Sequence, residues 1–136
     1  MSGLAGILAG HHATGVYRWH AAFGVADVRH TVEHAGWRFA RVDGIGVEDR
    51  TALMEAFGAA LQAPDHYGRN LDALNDVLRD LGGRLLLLWD EWGPLARADR
   101  GTFDAVTHLF SERTGKGDLA VLLRGEGPEV DLPSLD

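Results

Sequence analysis

The sequence predicts an α/β domain built on a small parallel sheet, and three observations point to it. Arg84-Leu-Leu-Leu-Leu-Trp89 and Leu119-Ala-Val-Leu-Leu123 are apolar nearly throughout and bounded by turn residues, the pattern of strands covered on both faces. Trp37-Arg-Phe-Ala-Arg-Val42 alternates large and polar residues and is closed by Asp43-Gly44, so it reads as a further strand. Helical stretches separate these runs, which calls for parallel pairing through right-handed crossovers in the order 1-2-3. Both crossovers then put helices on one face of a three-stranded sheet. The other face needs cover of its own.

Met1 to Thr14 is small, rich in Gly and Ala, and carries the adjacent His11-His12; it reads as a loosely ordered lead-in. Val16-Tyr-Arg-Trp19 fits a short strand, and Val25 to Ala35 a helix closed by Gly36. Residues 1–36 therefore form an N-terminal extension that either covers the bare face, through Tyr17 and Trp19, or pairs with an edge strand. Glu48 to Gln62 is helical, with Leu53, Met54, Phe57, Ala60 and Leu61 facing inward, and Pro64 ends that pattern. Leu71 to Leu81 is a second helix, stopped by Gly82-Gly83. After Gly93-Pro94, Asp99 to Thr114 is a third, with Phe103, Val106, Leu109 and Phe110 on its apolar side. The domain spans 37–124, and residues 125–136, beginning with Gly125, form a loose tail.

Composition narrows the function. A chain of 136 residues with 46% hydrophobic and 24% charged residues makes one globular domain rather than a disordered one. A formal charge of −7 argues against a nucleic-acid partner, which needs clustered Lys and Arg, and favours a basic protein steered in from a distance. Cysteine is absent, which removes disulfides, thiolate metal sites and Cys nucleophiles. No apolar run approaches the ~20 residues that span a bilayer, and the N-terminus has no basic n-region. A cytoplasmic protein without a membrane partner is expected.

The densest information lies in Pro64-Asp-His-Tyr-Gly-Arg-Asn-Leu-Asp-Ala-Leu-Asn-Asp-Val-Leu78. Asn70 is placed to cap the helix that follows. Leu71, Leu74, Leu78 and Leu81 make one apolar stripe, widened by Val77. On the opposite side Asp72 and Asp76 stand four apart and point the same way, a pairing that costs the helix roughly 0.2–0.5 kcal/mol. On spacing alone, charges opposite a leucine stripe form a solvated helix face. A basic partner would give them a use.

This segment resembles the barstar family of intracellular inhibitors of barnase-type ribonucleases, whose pattern has a proline, a Tyr-Gly pair and an Asn-Leu-Asp-Ala-Leu run. They stand here as Pro64, Tyr67-Gly68 and Asn70-Leu-Asp-Ala-Leu74, and the order of elements fits from about Gly36 to Arg124. The resemblance implies no catalysis and no cofactor. It implies stoichiometric inhibition of a small, basic, secreted guanyl-type ribonuclease by an acidic helix and the loop before it. Asp76 falls on the aspartate that takes the place of a substrate phosphate, Asp72 on a second interface aspartate, and Leu109-Phe-Ser-Glu112 on a peripheral segment whose glutamate touches the enzyme. His66, Tyr67, Asn70 and Asn75 complete the implied contact surface. The chain also departs from the pattern: His66 replaces an aromatic, Asn75 a tryptophan, and Arg69 an acid, so that Arg69 either pairs with Asp72 or tunes the choice of enzyme.

Two other readings stand beside this one. The same acidic face would serve an adaptor or immunity protein that binds a different basic toxin. His30-Thr-Val-Glu-His34 matches the bare H-x-x-E-H pattern of inverted zinc peptidases. It lacks a third ligand fixed by sequence, so no metal site is expected from it. Asp43-Gly-Ile-Gly46 is too short for a dinucleotide-binding loop, because Asp49 stands where the third glycine would be.

Overall fold

Strand runs and amphipathic stretches alternate along the chain in the computed structural model, which describes residues 2–136. The order is α1 (Ser2–Leu8), β1 (Val16–Trp19), α2 (Val25–His34), β2 (Arg38–Asp43), α3 (Arg50–Ala60), α4 (Leu71–Asp80), β3 (Leu85–Asp90), α5 (Gly93–Ala98), α6 (Arg100–Thr114), β4 (Leu119–Arg124) and β5 (Ser134–Leu135). The sheet is parallel and runs β2-β3-β4-β1-β5. The expected strands do lie side by side in the expected order, as β2, β3 and β4. The sheet nevertheless has five strands, not three. Leu119 to Leu123 are buried, and leaving so apolar a strand at an open edge would invite pairing with another chain. Here β1 covers that edge, with Val16 opposite Val121 and Trp19 opposite Arg124.

Handedness explains the layers. The steps β2 to β3 and β3 to β4 advance in one direction across the sheet, and the step β1 to β2 returns in the other. A right-handed crossover therefore puts α2 on the face opposite to the later helices. Side chains of β3 alternate accordingly. Leu85, Leu87 and Trp89 enter a core with Leu53, Phe57, Leu74, Leu78 and Phe110, while Leu86 and Leu88 enter a second core with Leu4, Ile7, Val28, Val32 and Trp37.

Two expectations fail at the ends of the chain. The N-terminal segment is not a loose lead-in within the described residues, which begin after Met1. Leu4, Ile7 and Leu8 of α1 are at most 7% exposed, and Trp37 Nε1 donates to Leu8 O at 3.3 Å. Nor is the tail loose. β5 pairs with β1, Leu135 is buried, and a Cβ on Gly3 would sit 2.7 Å from Leu135 Cγ, so a glycine lets α1 pack on the tail. A further element, α5, lies where Gly93-Pro94 reads as a break. Pro94 occupies its first turn, where a missing N–H costs nothing.

The carboxyl edge of the sheet is closed by a charge cluster. Asp90 ends β3 with its side chain 8% exposed, accepting from Arg124 at 2.6 and 3.1 Å and from Arg41 Nε at 2.9 Å. Arg124 Nη1 donates onward to the carbonyls of Ala21 and Phe23. This guanidinium thus fills the crevice between β4, whose chain leaves toward one face, and β1, whose chain leaves toward the other. At the start of α6 Asp99 caps the helix, and its bonds from the Thr102 hydroxyl and amide hold the carboxyl below the ordinary aspartate value.

Candidate functional site

Helix α4 owes its orientation to one buried row. Leu74 and Leu78 are buried, and Leu71, Val77 and Leu81 pack partly buried beside them, which turns Asp72, Asp76 and Asp80 outward. The helix starts where Asn70 takes an extended backbone and its Oδ1 accepts from Ala73 N at 2.8 Å. Replacing Asn70 by Ala should therefore cost about 1 kcal/mol of stability, read as a lower urea midpoint; an unchanged midpoint would mean that the cap is dispensable.

The loop before α4 is pinned rather than free. Tyr67 donates its hydroxyl to Met54 O at 3.0 Å, and its ring lies so close to Gly58 that a Cβ there would come within 2.6 Å of it. Burial raises the Tyr67 phenol above its ordinary value, with the neighbouring Arg69 charge working against the rise. Tyr67 thus turns toward α3, while His66 and Asn70 stand exposed. Arg69 adopts φ 52°, a left-handed conformation uncommon for a side chain of its kind. Its Nε lies 3.8 Å from Glu55 Oε1, so its partner is Glu55 and not Asp72. Between loop and helix lies a cleft of about 270 Å³ whose walls include Leu61, Tyr67, Val77 and Leu81, with His66, Asp76 and Asp80 also lining it.

The remaining expected residues lie on α4 and α6. Asn75 is half-buried on α4. Leu109 is half-buried against the core rather than open, and Glu112 is exposed with Oε1 2.7 Å from Nε2 of His108. The C-terminal ends of α4 and α6 are joined by Arg113, a buried guanidinium that donates to Leu78 O at 3.4 Å. Sequence reasoning passed over Arg79 and Asp80, although both stand within one helical turn of Asp76. Arg79 Nη2 is 3.0 Å from Asp76 Oδ1, and its Nε is 3.6 Å from Asp80 Oδ1.

Elsewhere, His30 and His34 stack with centroids 5.9 Å apart on α2, and Glu33 faces Arg29 at 3.8 Å. No group of three or more His, Asp or Glu among the described residues is arranged to hold a metal. No described helix is long and apolar enough to cross a membrane.

A family model described as Barstar (barnase inhibitor) matches residues 37–124, from just before β2 to the end of β4. The chain belongs to the barstar family. Comparison with curated proteins finds no match. Among solved structures it is similar to a chain of Drosophila ORC bound to DNA, at 18% identity and a TM-score of 0.59 over 86% of this chain. It is also similar to Cdc6p from Pyrobaculum aerophilum, at 15% identity and 0.60 over 92%, and to a Walker-type ATPase of Pyrococcus abyssi, at 14% and 0.50 over 91%. It spans only 33%, 37% and 43% of those chains.

At such identities what is shared is the fold. The barstar family match starts just before β2, whereas the likeness to the larger proteins covers most of the chain. A phosphate-binding loop would read G-x-x-x-x-G-K-[ST] between a strand and a helix, and β1 is followed by His20-Ala-Ala-Phe-Gly24. The Asp90 carboxylate at the end of β3 is already taken up by Arg124 and Arg41.

Proposed function

We propose that this barstar-family protein is a stoichiometric inhibitor of a small, basic, secreted guanyl-type ribonuclease, acting inside the cell that makes it and not itself an enzyme. The observation that carries the reading is the carboxylate row on α4, on a helix whose cap and preceding loop are fixed from behind by Asn70 and Tyr67. An enzyme that cleaves RNA holds a concave cationic pocket, and Asp76 would enter it with charge-assisted hydrogen bonds where a substrate phosphate otherwise lies. Asp72 would meet the pocket's rim. His66, Asn70 and Asn75 would line the same face, and Leu109 and Glu112 its far side. Tyr67 would contribute chiefly by holding the loop. The buried surface would be of standard size, on the order of 1,600 Å² in total.

Titrating a barnase-like ribonuclease with the protein should abolish RNA cleavage with a sharp break at one equivalent. A panel of such enzymes left fully active by excess protein would remove this reading in favour of a different basic toxin. Association should also slow steeply with added salt, because a net charge of −7 steers a basic partner only within a Debye length of about 8 Å at physiological ionic strength. Stopped-flow rates that ignore salt would point instead to an apolar interface.

A further inference from the structure

Asp76 is not an open carboxylate in the free protein. One guanidinium, that of Arg79, reaches both Asp76 at 3.0 Å and Asp80 at 3.6 Å, with the three side chains 58%, 58% and 75% exposed. Asp72 has no such neighbour, since Arg69 is directed to Glu55 and no other described cation lies within ion-pair distance. The two aspartates that look equivalent by spacing are therefore unlike: one is free and the other is held.

Resting on the reading of α4 as the ribonuclease-binding face, we propose that Arg79 is a specificity-determining residue, a resident cation that a partner must displace from Asp76. A pair as exposed as this one is weak, so a concentrated set of cations displaces it readily. A diffusely basic surface does not compensate for the loss. The cost of releasing the carboxylate from Arg79 raises the threshold for binding. Arg79 thus admits deep cationic pockets and rejects scattered lysines.

The test is the affinity of Arg79→Ala, with barnase as the probe and lysozyme as a basic protein of unrelated activity. Arg29→Ala makes the same change in net charge from α2, on the opposite face of the sheet, and supplies the control for steering alone. Arg79→Ala should bind barnase roughly two- to tenfold tighter than the parent and by more than Arg29→Ala does, and should show measurable binding to lysozyme. In an Asp76→Asn background the extra gain should vanish, because no carboxylate remains to be released. Unchanged or weaker binding by Arg79→Ala, or a gain that survives in Asp76→Asn, overturns the inference. If Asp76→Ala loses affinity while Arg79→Ala is neutral, the inhibitor reading stands and only the role of Arg79 falls. Failure of both parent and Arg79→Ala to bind any of a panel of barnase-like ribonucleases overturns both.

Discussion

A chain that starts at Gly15 should lose on the order of 5 kcal/mol of stability. Leu4, Ile7 and Leu8 of α1 are at most 7% exposed, and burying each such side chain contributes roughly 1.5–3 kcal/mol. Removing the helix would also uncover part of the core formed by Val32, Trp37, Leu86 and Leu88, and would strand the Trp37 indole N–H that Leu8 accepts. The loss is comparable with the whole stability of a typical domain, so the shortened chain should be largely unfolded at moderate urea concentrations. Ile7→Ala gives a milder form, at about 2–5 kcal/mol. Because α1 packs on the face of the sheet opposite to α4, Ile7→Ala should still inhibit a ribonuclease as the parent does wherever it is folded. A shortened chain with the parent's urea midpoint would show that α1 is peripheral after all.

The N-terminus is hard to read for a physical reason. Leu4, Ile7 and Leu8 follow the i, i+3, i+4 spacing of a helix, but Gly3, Gly6 and Gly10 lie among them, and glycine in a sequence reads first as flexibility. Gly3 is there for close approach to Leu135, a contact between opposite ends of the chain that no local window contains. The same holds for β5, two residues long and defined only by its partner β1. The central strands are legible because burial on both faces leaves its mark locally, as in Leu85 to Trp89. At the site, the Asn70 cap follows from residue type at the helix start and the outward aspartates from helical period. The inward turn of Tyr67 depends on Gly58, nine positions earlier, and the partner of Arg69 depends on a left-handed backbone that brings it toward Glu55.

Asp76→Ala should separate binding from folding. The helix that carries Asp76 is held by Leu74 and Leu78, and the carboxylate is 58% exposed with one surface ion pair to Arg79, so its removal should change stability by no more than about 1 kcal/mol. Loss of the ion pair and relief of repulsion from Asp72 and Asp80 act in opposite directions. In the complex the same carboxylate would be desolvated among the enzyme's cationic groups, and deleting it would leave those charges buried without a partner. The expected cost is at least roughly 2–5 kcal/mol of binding, mostly as faster dissociation, since the long-range field that governs association loses only one of many charges. Glu112→Ala should lose much less. That side chain is 66% exposed and already faces His108, and the family resemblance makes it peripheral to the contact. The deciding measurement sets inhibition constants and urea midpoints of both variants beside those of the parent. Parent-like inhibition by Asp76→Ala would show that α4 does not enter an active site, and the acidic row would then be no more than a solvated helix face.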